Sequence, residues 1–338
     1  MISGGGERFK VTVFGESHGP AIGCSVEGCP ANFTLDLGEL DKFMARRAPG
    51  RDKTSTTRLE ADKIKFLAGV RDGNVLEGTT LAAVIENTSQ RSSDYDALRD
   101  IPRPGHVDYA AKLKYGSRVN LSGGGAFSGR LTAPICIAGG IAKQILKHYY
   151  GTEIEAEVRE VGGVSTLMRD PKKVILEAKR AGDSVGGIVN CCVYNFPAGI
   201  GGPLAEGLEC KIAQAIFSIP AVKGLEFGIG FRAARLRGSQ NNDEYFIDPE
   251  SKEVETVSNY AGGLLGGISS GLAPISFNVA FKPTPSISKA QSSVNMKTME
   301  EVNLKIRGRH DPCIVLRALP VVEAAAAISL YDAILSSK

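Results

Sequence analysis

Residues 9–19 read Phe9-Lys10-Val11-Thr12-Val13-Phe14-Gly15-Glu16-Ser17-His18-Gly19. Phe9, Val11 and Val13 alternate with polar neighbours, the two-residue period of a strand with one buried face. The strand runs straight into Gly15-Glu16-Ser17-His18-Gly19, which is too polar and glycine-rich to continue it. None of the glycine-rich segments of the chain is a GKS/GKT phosphate loop, and none is a GxGxxG placed between strand and helix. An ordinary ATP or NAD fold is therefore disfavoured from the first strand onward.

Working outward, a helix begins after Asp36, with Glu39 three residues on as a capping box, and stops before Pro49. Residues 79–86 form a second strand. A helix fits Thr132–Tyr150, with Pro134 tolerated in its first turn and Gly151 as its stop. Ile154, Ala156 and Val158 alternate as a strand, and Asp170-Pro171 opens a helix that Gly182 closes. Residues 187–196 are strand-like, 205–219 helical before Pro220, and Ile275, Phe277, Val279 and Phe281 alternate cleanly. An alanine-rich helix over 321–335 ends the chain. Strands and helices mix without a regular βα repeat, which favours a layered α+β architecture. The run from Gly123-Gly124-Gly125 to Ile135 resembles that from Gly266-Gly267 to Ile275, the faint mark of a duplicated half. No segment has linker composition, so the reading is one domain over 1–338.

Composition narrows the function classes. Among 338 residues, 43% are hydrophobic and 23% charged, ordinary values for a globular chain, while the 40 glycines are many. A net charge of +3 gives no global field for nucleic acid or membrane. The seven cysteines form no CxxC pair, and free buried thiols in a reducing cytoplasm are expected. No secretory signal and no apolar stretch of transmembrane length are read, which implies a cytoplasmic protein.

Candidate chemistry sits in the turns. Three of the four histidines lie in polar, turn-rich surroundings: His18, His106 in Arg103-Pro104-Gly105-His106-Val107-Asp108, and His310 in Gly308-Arg309-His310-Asp311. Such positions suit acid–base work near neutral pH, although a turn histidine bonded to backbone looks the same in sequence. His148, at a helix end, reads as solvated or as pairing with the C-terminal helix dipole. No HExxH and no short ligand spacing is present, so no metal site is expected. Arg46-Arg47-Ala48-Pro49-Gly50-Arg51-Asp52-Lys53 is the densest basic cluster, suited to gripping carboxylate or phosphate, or merely to complementing a helix end. Gly123 to Arg130 precedes a helix, and its backbone amides are placed to meet an anion.

Together, GESHG, the RRxPG turn, RPGHxD, the glycine run ending in Arg130-Leu131-Thr132-Ala133, GDSVGG at 182–187, LRGSQN, GGxxGGISSG, KPTPS and GRHDPC resemble the chorismate synthase family in content and order. The resemblance covers the chain from about Phe9 to the final helix. It implies a β-α-β sandwich, with helices between antiparallel sheets, and a homotetramer. It also implies a lyase of the shikimate pathway and aromatic amino acid biosynthesis. That enzyme performs an anti-1,4-elimination of phosphate from 5-enolpyruvylshikimate 3-phosphate, using reduced FMN without net redox change. No insertion for flavin reduction is visible, so NADPH enters only through a separate flavin reductase.

Carried over by motif, the resemblance implies substrate contacts at Arg47, Lys53, Arg103, Arg130 and Arg309. His18 would give a proton to the departing phosphate, and His106 would stabilise charge at the flavin N1–C2=O edge. Asp311, with Ser17, would manage the proton on flavin N5 as the C6 hydrogen of the substrate is removed. Flavin contacts would fall on Ala126, Phe127, Ser128, Gln240, Asn241, Gly266, Lys282, Pro283, Thr284, Pro285, Ser286 and Arg309. Two departures stand out: Lys53 replaces a frequent Arg and loses the bidentate fork, and Phe127 stands where a small polar residue is common. Against this stand a flavin oxidoreductase that consumes NADPH and a non-catalytic flavin-binding scaffold. The second would be expected to have lost Ser17, His18, His106 or Asp311, and all four are present.

Overall fold

The structure, a computed structural model, describes residues 2–3, 6–50, 54, 62–87, 100–116, 119–306 and 310–337. Ile2–Ser3 (β1), Val11–Gly15 (β2), Ala21–Val26 (β3), Lys65–Ala68 (β4) and Leu81–Glu86 (β5) form an antiparallel sheet in the order β1-β2-β3-β5-β4. Glu153–Val161 (β6), Val164–Ser165 (β7), Gly187–Tyr194 (β8), Val222–Phe227 (β9) and Ile275–Phe281 (β10) form a second, in the order β9-β10-β8-β6-β7. Each strand shows why it pairs. Along β10 the four apolar residues are buried and the three between them are not, so one face is committed to the interior.

The helices are Leu37–Arg47 (α1), Asp108–Tyr115 (α2), Thr132–Tyr150 (α3), Pro171–Arg180 (α4), Leu208–Phe217 (α5) and Val315–Ser336 (α6). α3 packs on β2, β3 and β5 of the first sheet; α6 packs on β6 and β8 of the second; α1 and α5 flank them. This is the expected α+β sandwich of helices between antiparallel sheets. Its centre is the α3–α6 contact, where a Cβ on Gly139 would sit 2.3 Å from Cα of Ala324. Small residues at the crossing let the two helix backbones approach closely.

The local signals act as their chemistry requires. Asp36 caps α1 by accepting from Glu39 N at 2.9 Å, and Gly151 closes α3 in the left-handed region at φ 67°. α5 begins at Leu208 rather than 205, because Gly207 is extended (φ −62°, ψ 143°) after a short turn. α6 begins at Val315 and carries Pro320 inside it, a turn and more before the sequence reading starts it. Proline costs a helix hydrogen bond, and here burial of the whole helix in the core outweighs that loss. The duplicated half is not borne out: the first glycine run leads into α3, whereas the second leads into strand β10.

α6 also corrects the reading that no apolar stretch reaches transmembrane length, since by length and composition this helix does. It is the core helix, and its acidic residues are engaged inside the protein. Glu323 is held by Arg46 (2.6 and 2.9 Å), Lys143 and the Ala156 amide, and Asp332 accepts three amides, from Glu7, Arg8 and Phe9. All seven cysteines are free; Cys210 is exposed and Cys192 half-buried, against the expectation of burial throughout. Burial pushes the thiols of Cys24, Cys29 and Cys136 up to about 12, which makes them poor nucleophiles.

Candidate active site

The loop after β2 carries Ser17, buried, and His18, half-buried. It is pinned by Asn87 at the end of β5, whose Nδ2 donates to the carbonyls of Glu16 (3.0 Å) and Gly19 (2.8 Å). The glycine loop 123–125 lies against it. All three glycines have positive φ (60°, 92° and 53°), a path that side-chain-bearing residues rarely take. A Cβ on Gly123 would stand 2.5 Å from His18 Nε2 and 3.0 Å from Ser17 Oγ; one on Gly124 would stand 3.7 Å from His106 Nε2. The two imidazoles therefore meet the same loop at consecutive residues. Beyond it, Ser128 Oγ accepts from the Arg130 amide at 3.3 Å, at the entry to α3.

His106 belongs to a compact charge relay of its own turn. Arg103 donates to both oxygens of Asp108, from Nε (2.7 Å) and Nη2 (2.9 Å), and His106 Nδ1 lies 2.6 Å from Asp108 Oδ1. Arg103 Nη2 also lies 3.0 Å from His106 Nδ1. A guanidinium only donates, so the shorter bond to the carboxylate decides: Nδ1 carries the proton and Nε2 is left to face Gly124. Burial alone would raise the Asp108 carboxyl, but the bonds and charges of Arg103 and His106 prevail and hold it well below the usual carboxylate range. The 282–286 loop closes on this turn. Lys282 Nζ donates to Gly105 O, Arg103 Nη1 lies 3.4 Å from Ser286 Oγ, and a Cβ on Gly105 would stand 3.5 Å from Cβ of Pro285.

The other half of the ring is built on Asp62. Its two carboxylate oxygens are shared between Arg47 (2.6 Å) and Arg130, and all three side chains are buried. Burial alone would raise this carboxyl too; the charges of the two arginines prevail and lower it. Arg130 Nε donates to Asn87 Oδ1 at 3.2 Å, which ties the pair to the His18 loop. On the far side Arg317 of α6 donates from Nε to Arg47 O (3.0 Å) and from Nη1 to Asp311 Oδ2 (2.6 Å). Burial pushes the Arg317 guanidinium down, with Asp311 opposing. Asp311 O in turn accepts from Thr284 Oγ1 at 2.6 Å, which returns to the 282–286 loop.

The ring thus closes through eight chain segments: 16–19, 47, 62, 87, 103–108, 123–130, 282–286 and 311–317. Among the described residues it holds four arginines (47, 103, 130, 317) and Lys282 against four carboxylates (Asp62, Asp108, Asp311 and, on the histidine loop and bonded to Asn120, Glu16), so that cation exceeds anion by one in that set before either histidine is protonated. Such a site attracts an anionic ligand and offers it two imidazoles. Among the described residues, no group of three or more His, Cys, Asp or Glu side chains is placed to hold a metal ion.

The chorismate synthase family profile matches residues 9–335. The chain is 42% identical to the chorismate synthase of Lancefieldella parvula, across 99% of this chain and 97% of that one. This chain belongs to the chorismate synthase family. It is 41% identical to the Methanothermobacter thermautotrophicus chorismate synthase (97% and 92% covered) and 43% identical to that of Thermococcus kodakarensis (98% and 97%). A crystal structure of chorismate synthase matches with a TM-score of 0.74 at 28% identity, over 98% of this chain and 93% of the other. The chain is accordingly an enzyme of the chorismate synthase class, a lyase of the shikimate pathway that forms chorismate, and its family implies a flavin cofactor.

Most residues that the motifs single out converge in this chorismate synthase ring: Ser17, His18, Arg47, Arg103, His106, Ser128, Arg130, Lys282, Thr284, Pro285, Ser286 and Asp311. Lys53 and Arg309 lie outside the described residues. Ala126 is half-buried between the glycine run and Phe127, and Phe127 packs its ring on Tyr115 of α2 (centroids 6.2 Å apart). Gln240, exposed, and Asn241, half-buried, end a one-turn helix, Gly238–Asn241, between β9 and β10, where Gln240 Oε1 accepts from the Arg237 amide. Gly266 is at an exposed hairpin tip. Within this excursion Asp243 accepts from the Ser258 hydroxyl and from the Tyr260 and Ala261 amides. His310 is 3.3 Å from Ile306 O, the bland turn role, and His148 is exposed beside Phe33. Asp62, Asn87, Asp108 and Arg317 escaped the sequence reading as site residues; only Asp108 stood inside a quoted motif.

Proposed function

We propose that the ring binds 5-enolpyruvylshikimate 3-phosphate and that the enzyme eliminates its phosphate in an anti-1,4 sense, giving chorismate with a reduced FMN beside it. The observation that supports this most is the pairing of surplus positive charge with two imidazoles on one glycine loop. The substrate brings two carboxylates and a phosphate, which need guanidinium partners, and its leaving group needs an acid. Arg47, Arg103 and Arg130, with Lys53 and Arg309, hold the anionic groups. His18 gives a proton to the departing phosphate as its carbon–oxygen bond breaks. Asp311, held by Arg317, and Ser17 handle the hydrogen lost from the substrate.

The residues present fit a flavin mononucleotide. Bare backbone at Gly123 and Gly124, where a Cβ would meet His18 and His106, gives a flat ring close access to the loop, and Lys282 supplies charge for a phosphate ester. When bound and reduced, the flavin supplies electron density to the elimination and is unchanged at its end. His106, with Nε2 directed at that backbone, Ala126, Phe127, Ser128 and the 282–286 loop would hold it; Gln240, Asn241 and Gly266 complete the set from the exposed excursion. We further propose one domain over 1–338, a cytoplasmic homotetramer, and a separate reductase that draws on NADPH.

The test is anaerobic incubation of purified protein with this substrate and photoreduced FMN, following chorismate absorbance and phosphate release. Equal yields of both products, with flavin still reduced at the end, are expected. Intact substrate in the presence of bound FMN would overturn the reading.

A further inference from the structure

The geometry points to Asp62 as the positioning residue of the substrate site, one buried carboxylate that sets the spacing and plane of Arg47 and Arg130. The inference deepens the function proposed above and rests on its assignment of those arginines to the substrate. Asp62 makes no contact that the chemistry itself requires. Its side chain is wholly buried, its backbone is left-handed (φ 48°), and it stands three residues before strand β4. Each carboxylate oxygen takes one arginine, so the two guanidiniums are fixed relative to each other rather than to solvent.

The rest of the bonding agrees. Arg47 is held at all three nitrogens: Nε on Thr132 Oγ1 (3.2 Å), Nη1 on Asp62 and Nη2 on Gly129 O (3.1 Å). Thr132 spends its own proton on Gly129 O at 2.6 Å, so its oxygen is free to accept from Arg47. Arg130 is held by Asp62 and by Asn87. A guanidinium is a planar array of donors whose geometry matches carboxylate and phosphate oxygens. Two such arrays set by one carboxylate form a rigid anion receptor; without it, two buried like charges repel and turn apart. The same carboxylate tempers the receptor's charge, leaving the pair at a single net positive charge.

The test compares D62N with the wild-type enzyme by calorimetric titration of inorganic phosphate, and of the enolpyruvyl-shikimate phosphate with oxidised FMN present. Positioning predicts that Kd for both rises, with KM rising about 10²-fold in turnover while kcat changes far less. A merely structural Asp62 would lower the folded fraction and the binding stoichiometry and leave Kd and KM alone, which would overturn the inference. So would tighter binding by D62N, since Asp62 would then be competing with the ligand. Should D62N fail to fold, D62E decides: it keeps the charge but must displace the carboxylate by about 1.5 Å, so a raised Kd supports positioning and an unchanged one overturns it. Phosphate titration keeps the two readings apart. If the wild type makes no chorismate yet D62N still weakens phosphate binding, the proposed reaction fails and the role of Asp62 stands.

Discussion

His18 and His106 present their Nε2 atoms to adjacent glycines of one loop, Gly123 and Gly124, although 88 residues separate them in sequence. The loop passes between two groups able to move protons, and the absence of side chains keeps both within reach of whatever binds there. That explains why three consecutive left-handed backbones are tolerated at this point.

Gly123→Ala follows directly. A methyl group there would stand 2.5 Å from His18 Nε2, so the imidazole has to move. We expect kcat/KM to fall about 10²-fold. Gly73→Ala is the control, because Gly73 shares the positive φ (84°) but a Cβ there meets nothing within 4 Å. Both variants should lose about 1 kcal/mol of stability in urea melts from backbone strain. Only the first should lose activity; equal losses of activity in both would rule out the clash as the cause.

Elements with local punctuation were legible in sequence. Pro134 and Gly151 bracket α3 to the residue, and Asp36 and Asp170-Pro171 open their helices as written. α6 was misjudged at its start, because Pro320 is a local signal that core burial overrides. The arginines, histidines and Asp311 of the site could be named only through motif order; Asp62, Asn87 and Arg317 were not read as site residues at all. Asp62 and Asn87 act through partners 15 to 71 residues away, and Arg317 joins Asp311, six residues off, to Arg47, 270 residues away, so short-range pattern does not tell of the site they build. Packing the α3–α6 pair between two sheets is what brings the partners together.

Acid stability should report Asp62 and Asp108. Both carboxyls are lowered in the folded protein, so each contributes stability that is complete above its unfolded value of about 4 and is lost as pH falls through the folded value. The urea midpoint of the wild type should therefore drop steeply from about pH 5 downward. D108N should be less stable at pH 7 and should flatten that acid limb; a limb of unchanged slope would assign the acid loss to other groups.

Asn87→Ala removes two donors from the carbonyls of Glu16 and Gly19 and an acceptor from Arg130. Leaving part-buried groups unpaired costs about 1–3 kcal/mol, and here the loss falls on the loop that carries His18. We expect a lower thermal midpoint, faster amide exchange across 16–19, and reduced kcat. Unchanged exchange in that loop would contradict the anchoring role.

Arg317→Lys separates charge from geometry at the Asp311 end of the ring. Lysine keeps a cation near Asp311 but lacks the planar guanidinium that places Nε on Arg47 O and Nη1 on that carboxylate at fixed separation. A roughly 10-fold loss in kcat is expected, from misplacement of Asp311 by well under 1 Å. The folded fraction in urea melts should change far less. A fall in activity matched by an equal fall in folded fraction would point to loss of folded enzyme alone.

Glu323→Gln is the contrasting case, a buried charge remote from chemistry. Glu323 lies on α6, almost wholly buried, and binds Arg46, Lys143 and the Ala156 amide, so it joins three elements of the sandwich: α1, α3 and β6. Neutralising it leaves two cations without their counter-charge and replaces one acceptor oxygen by an NH2 that faces their donors. The penalty for stranding a buried charge is about 3–5 kcal/mol; partial exposure of Arg46 (39%) and Lys143 (21%) lets water relieve it, so about 2–3 kcal/mol is expected. Chemical denaturation should show that loss, while kcat and KM per folded molecule stay at wild-type values. A change in KM would mean that strain at the core reaches the ring through the neighbouring Arg47, and would make α1 a coupling element rather than a passive support.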